Sequence, residues 1–265
     1  MSKEVHIPDD FLSSAAPPPA DAKPITYEPI DWSQTCLPNN EGLYAVVLDN
    51  VLSPSECTTL LRLAESSVES VRLGKGAPLT KATWMPAMVQ AGQGEEVLDS
   101  AYRNSDRIVW DCQEMVDRLL ARCLQVTGYG RRAHRDAQDV TWEMAGLSKR
   151  MRFLRYGEGQ FFAPHCDGNY SRTDDDGTVF RSFFTFHFYL NDSVAAAGEH
   201  AELVGGATTF FSGDAFRKVD IECKTGRVLI FQQRDLYHGG AEVVEGTKYS
   251  MRAELMYKMT KTAKK

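Results

Sequence analysis

The chain has 265 residues, 43% of them hydrophobic, with a formal net charge of −6 and a sequence pI of about 5.6. That length supports one large domain or two small ones with a substantial core. The acidic balance and the lack of a long internal basic run argue against nucleic acid as a partner. No stretch reaches the roughly 18 apolar residues of a membrane span, and scattered cysteines with no C-x-x-C give neither a disulfide framework nor a structural zinc site.

Taken in order, residues 1–40 are polar and proline-rich, with Pro17-Pro18-Pro19. They read as an extended or partly disordered arm, pinned in places by Tyr27 and Trp32. Because Met1-Ser2-Lys3-Glu4-Val5-His6 leads into no apolar segment, the expected location is cytoplasmic, with the nucleus left open. Residues 43–48 form a β-prone run. Ser53 or Ser55 can cap a helix whose apolar face includes Cys57, Leu60, Leu61, Leu63 and Ala64. Residues 70–103 are irregular and able to border a binding site. Ser105-Asp106 then reads as the cap of a helix with Ile108, Val109, Cys112, Met115, Val116, Leu119, Leu120, Cys123 and Leu124 on one stripe. Gly128-Tyr129-Gly130 closes it, and His134 reads as a surface residue.

From about residue 140 the texture changes to strands: 151–156, 182–191, 205–211, 226–231 and 248–257. Many short strands after helices predict a β-sandwich or jelly roll with helices packed on one sheet. The expected organisation is an arm at 1–40 and a single catalytic domain at 41–265, with helical support at 41–140 and a jelly-roll core at 141–260.

Chemistry concentrates at His165-Cys166-Asp167. In extended backbone, residues i and i+2 project the same way, so His165 and Asp167 can grip one metal while Cys166 points elsewhere. The best third ligand is His238, in Leu236-Tyr237-His238-Gly239-Gly240. Two histidines and one carboxylate form the facial triad of non-heme Fe(II) oxygenases. His187 shares the parity of Tyr189 and reads as a core or supporting histidine; His200 reads as exposed, and Cys166 as a spacer.

These blocks occur in a fixed order: His165-x-Asp167, then Tyr189-Leu190-Asn191-Asp192, Gly205-Gly206-x-Thr208-x-Phe210, Gly226-x-x-Leu229-x-Phe231, His238, and Lys248-Tyr249. Over residues 150–258 the chain resembles the iron and 2-oxoglutarate dependent dioxygenases of the prolyl 4-hydroxylase type. The resemblance implies a mainly β, α+β architecture: a double-stranded β-helix, cupin-like, with amino-terminal helices buttressing the larger sheet. It implies Fe(II) on His165, Asp167 and His238, with 2-oxoglutarate and O2 as co-substrates and ascorbate as an optional reductant. Lys248, ten residues after His238, matches the base that holds the far carboxylate of 2-oxoglutarate. Tyr189 matches a co-substrate phenol, and Tyr156 and Thr208 match pocket hydrogen-bond donors.

Arg252 follows Lys248 by four residues on the same face, roughly 13 Å along the strand. It can approach the near carboxylate or an acidic substrate, pair with Glu254, or replace Lys248 as the anchor. Related halogenases leave the carboxylate position open for chloride, so Asp167 favours hydroxylation or another oxidation without halide. The substrate class stays open between a small molecule and a protein or peptide side chain such as proline, as does the oligomeric state. Two other readings remain at this point: a catalytically silent metal and 2-oxoglutarate binder of the same fold, and a zinc hydrolase.

Overall fold

The computed structural model describes residues 4–68, 84–92, 95–127, 134–135 and 140–260. Strands β1 (Thr26–Pro29) and β2 (Ala45–Asp49) lead into helix α1 (Pro54–Ser66). Short strands β3 (Met85–Pro86), β4 (Val89–Gly92), β5 (Glu95–Val97) and β6 (Arg103–Asn104) precede β7 (Asp106–Asp111) and helix α2 (Gln113–Thr127). The rest is almost all β: β8 (His134–Arg135), β9 (Thr141–Leu147), β10 (Arg150–Tyr156), β11 (Phe161–His165), β12 (Ser171–Thr173) and β13 (Val179–Tyr189). After the short helix α3 (Val194–Ala197) come β14 (Val204–Gly205), β15 (Thr208–Phe211), β16 (Lys218–Ile221), β17 (Val228–Gln232), β18 (His238–Gly240), β19 (Val243–Glu245) and β20 (Lys248–Thr260).

The large sheet has 11 strands, with β1-β2-β17-β13-β20-β10-β7-β3 as its main path, and the small sheet runs β16-β15-β18-β11-β6. All named strand pairs within them are antiparallel. This is the expected jelly-roll arrangement.

Alternation along the central strands sorts their side chains between two cores. Val46 and Leu48, Met151 and Phe153, Phe186 and Phe188, Val228 and Ile230, and Met251 and Ala253 join one cluster with the buried faces of α1 and α2. Ala45 and Val47, Leu154 and Tyr156, Tyr189, Leu229 and Phe231 join the other, with Phe210 of the small sheet. Each fully buried aromatic or aliphatic side chain contributes about 1.5–3 kcal/mol, so the helix-backed face is the main apolar reservoir of stability. Ser53 caps α1 with a full capping box to Glu56, and Pro54 takes the first helical turn. Glu56 also pairs with Arg122 of α2 at 3.0 Å, tying the helices together.

The arm is docked. Ile7, Phe11 and Leu12 enter the helix-side core, and Arg118 of α2 donates to the carbonyls of Pro8 and Phe11. Trp32 is a packing anchor: it meets Phe210 edge-on at 5.2 Å and donates its indole N–H to Leu43 O. Tyr27 is exposed.

One expected element is replaced. Asp106–Asp111 is a strand, not the first turns of a helix, and α2 starts at Gln113. Ile108 and Trp110 are buried on one face of β7, where they sit opposite Phe153 and Met151 of β10. Ile108-Val109 fits a helical stripe as well as a strand, and pairing with β10 decides between them. The glycine loop expected after α2 and the side chain of His134 lie outside the described residues, as does much of 70–103.

Candidate active site

The small sheet sets the two histidines side by side. His165 ends β11, His238 begins β18, and they are cross-strand partners with ring centroids 4.5 Å apart. The ladder shifts register between Phe162 and His165, where Pro164 has no N–H to give. Gly239 allows the close approach, because a Cβ there would lie 2.8 Å from Phe162 O. His165 Nδ1 lies 2.8 Å from Ala163 O and His238 Nδ1 lies 2.9 Å from Leu236 O. Each Nδ1–H is thereby committed to a carbonyl, which leaves Nε2 as the free lone pair.

Asp167 lies just past the end of β11, where sheet pairing no longer holds it. Its carboxylate is fixed by other groups. Thr185 Oγ1 of β13 donates to Oδ2 at 2.6 Å, and Arg252 Nη2 of β20 reaches Oδ1 at 3.1 Å. Behind Thr185 stands buried Gln233, which accepts from Ser182 Oγ and Asn169 Nδ2. Asp167 Oδ1 is 3.5 Å from His165 Nε2, and Oδ2 is 3.8 Å from His238 Nε2. One donor atom from each of the three residues falls within 4.8 Å of the others.

Electrostatics match a cation site. Burial alone would raise the Asp167 carboxyl, yet Arg252 and the two histidines hold it well below the ordinary carboxylate range. Burial pushes the His238 imidazole down to about 4, against the pull of Asp167. Asp167 is therefore a carboxylate and His238 a neutral donor at neutral pH. Two imidazoles and one carboxylate, all turned to one point, are a donor set suited to Fe(II).

His165, Asp167 and His238 share a pocket with Tyr156, Thr208, Lys248 and Arg252. Lys248, only 2% exposed, donates from Nζ to Gly206 O at 2.6 Å and lies 5.2 Å from the Tyr156 ring centre. Gly206 takes a positive φ of 75° to present that carbonyl. No carboxylate pairs with Lys248 among the described residues. A buried ammonium without a counter-charge is costly, and it suits the far carboxylate of a dicarboxylate ligand. Tyr189 stands behind the pocket wall, fully buried, and gives its hydroxyl to Thr208 at 2.7 Å. Arg252 makes the Glu254 pair foreseen from the sequence, at 3.7 Å, but its closer partner is Asp167.

His187 lines the pocket with an unpartnered, buried Nε2, and burial drives its imidazole well below the ordinary value. Cys166 and His200 are exposed. Sequence reading missed Thr185, Gln233 and Arg103. The parity of Thr185 with His187 and Tyr189 was a usable signal; nothing local marked the other two.

Residues 151–253 match the family described as the 2OG-Fe(II) oxygenase superfamily. No curated protein matches the chain. Among solved structures it is similar to a Pseudomonas putida prolyl-4-hydroxylase: 15% identity, 82% of this chain and 95% of that one covered, TM-score 0.49. It is also similar to a viral collagen prolyl hydroxylase from Paramecium Bursaria Chlorella virus-1, solved with 2OG: 18% identity, 82% and 97% covered, TM-score 0.46. A Trichoplax adhaerens prolyl hydroxylase, solved with a hypoxia inducible factor peptide fragment, gives 16% identity, 80% and 82% covered, and TM-score 0.48.

The match spans both histidines, Asp167 and Lys248, and the geometry brings them into one pocket. Residues 151–253 match the 2OG-Fe(II) oxygenase superfamily, and the protein is an Fe(II)/2-oxoglutarate dependent dioxygenase with O2 as its oxidant. No described helix is long and apolar enough to cross a membrane.

Proposed function

We propose that His165, Asp167 and His238 hold Fe(II), that Lys248 takes the far carboxylate of 2-oxoglutarate, and that a single catalytic domain oxidises an unactivated C–H bond of a small molecule or a peptide side chain. The observation that carries this reading is the Lys248 ammonium, buried with no carboxylate partner among the described residues in the pocket that holds the triad.

When bound, Fe(II) with 2-oxoglutarate and O2 supplies the oxidation, in which 2-oxoglutarate, O2 and R–H give succinate, CO2 and R–OH. The protein's own part is placement. Ala163 and Leu236 carbonyls fix the two imidazoles by their Nδ1–H groups. Thr185 and Arg252 orient Asp167, which makes Arg252 a support for a ligand more than an anchor for the co-substrate. Gly206 steers Lys248, and the Tyr189–Thr208 hydrogen bond stiffens the wall beside it. Phe162 stacks on His165 at 3.9 Å and Phe231 meets His238 edge-on at 4.6 Å, keeping bulk water from the histidines.

The test is succinate release from 2-oxoglutarate by the purified protein. The expected result is slow release that needs Fe(II) and O2, stops with a chelator and is absent in His165→Ala. Release that persists in His165→Ala, or none with Fe(II) supplied, contradicts the assignment.

A further inference from the structure

Resting on that reading, we infer that Arg103 is the receptor for a carboxylate on the primary substrate, so that the molecule oxidised is a small organic acid. Arg103 comes from β6, the edge strand that pairs with β11. It is 8% exposed and lines the same pocket as the triad. Its guanidinium lies over the Phe162 ring, 4.5 Å from the centroid, and Phe162 in turn stacks on His165. A group held by Arg103 is therefore one ring away from a metal ligand.

The guanidinium is underemployed. Among the described residues its one side-chain hydrogen bond is long, 3.4 Å from Nη1 to Met88 O, and Nε has no partner there. Neighbouring arginines differ: Arg107, Arg152, Arg155 and Arg252 each reach a carboxylate. Arginine keeps its charge at any working pH and presents a planar fork of donors matched to a carboxylate. Leaving such a group buried and unpaired costs stability, so a partner arriving with the ligand is the physical expectation.

Charge counting separates Arg103 from the co-substrate. Asp167 and the near carboxylate of 2-oxoglutarate offset Fe(II); the far carboxylate offsets Lys248; Glu254, shared with Arg152, faces Arg252. Among the described pocket residues Arg103 is the cation that no carboxylate reaches. The pocket's other unpartnered polar atoms among the described residues, His187 Nε2 and Arg252 Nε, are available to the remaining polar atoms of an acid.

The experiment uses the full-length protein loaded anaerobically with Fe(II) and 2-oxoglutarate, a state verified by its weak visible charge-transfer band. Free and N-acetyl amino acids and simple aliphatic acids are titrated, each beside its primary amide, with calorimetry and the band as readouts. At least one acid is expected to bind about tenfold or more tightly than its amide. Arg103→Gln should abolish that preference, Arg103→Lys should keep part of it, and both should bind 2-oxoglutarate as the wild type does. The inference is overturned if no acid outbinds its amide. It is overturned equally if the preference survives Arg103→Gln, or if both variants lose 2-oxoglutarate binding, which would make Arg103 a co-substrate residue. Absence of the band in the wild type would instead sink the underlying oxygenase assignment.

Discussion

On β13, Phe186 and Phe188 turn toward the helices while Thr185 and His187 turn toward the pocket. On β20, Met251 and Ala253 turn one way, Lys248 and Arg252 the other. The helix-backed face is closed and apolar. Among the described residues the pocket face carries two cations with no carboxylate, Lys248 and Arg103, and buried nitrogens without partners on Arg103, His187 and Arg252, with Ser250 between Lys248 and Arg252 on β20. One face supplies folding free energy; the other withholds it until ligands arrive. Within the pocket face the same contrast recurs between Arg252, already engaged by Asp167 and Glu254, and Lys248, which has only a carbonyl.

Breaking each face should give separable losses. The largest effect is expected from His238→Ala, which removes a metal ligand and should drop 2-oxoglutarate turnover to background while the thermal midpoint without metal changes little. Phe188→Ala should do the reverse, lowering unfolding free energy by about 3–5 kcal/mol in urea while the folded fraction still binds metal. Lys248→Ala should weaken 2-oxoglutarate binding by about 30-fold or more, from the loss of a buried charge partner, with Fe(II) affinity nearly unchanged. Thr185→Val should instead weaken Fe(II) about 10–100-fold by freeing Asp167, measurable by competition with a chelator.

The smallest effect concerns pH and a site far from the pocket. Asp49 is paired with Arg227 at 2.7 Å and Lys224 at 2.8 Å. Burial works to raise its carboxyl, but hydrogen bonds from Arg227 and Lys224 outweigh this and lower it below the ordinary value. A depressed folded-state value means the stabilisation is present above the unfolded value of about 3.9 and is lost as pH falls through the folded one. Wild type should exceed Asp49→Asn by under about 1 kcal/mol at pH 7, and the gap should close below about pH 4.

Much of this division was legible in the sequence. His165-x-Asp167, His238 and Lys248 stood out because residue type and order carry the chemistry, and the strands from residue 150 onward followed from period-two patterning. The start of α2 was misplaced because Ile108-Val109 satisfies both periodicities, and pairing with β10 is a long-range fact. Arg103 and Gln233 were invisible for the same reason. One is functional in the proposal only because β6 pairs with β11, and the other is buried only because the turn before β18 folds against β13.

The most direct test is an anaerobic titration with Fe(II) and then 2-oxoglutarate, following the weak visible charge-transfer band. The account predicts a band in the wild type, none in His165→Ala, and a band in Lys248→Ala that needs far more 2-oxoglutarate. A wild-type protein that shows no band, or a His165→Ala variant that keeps it, would contradict the claim that this face of the sheet is an Fe(II) and 2-oxoglutarate site.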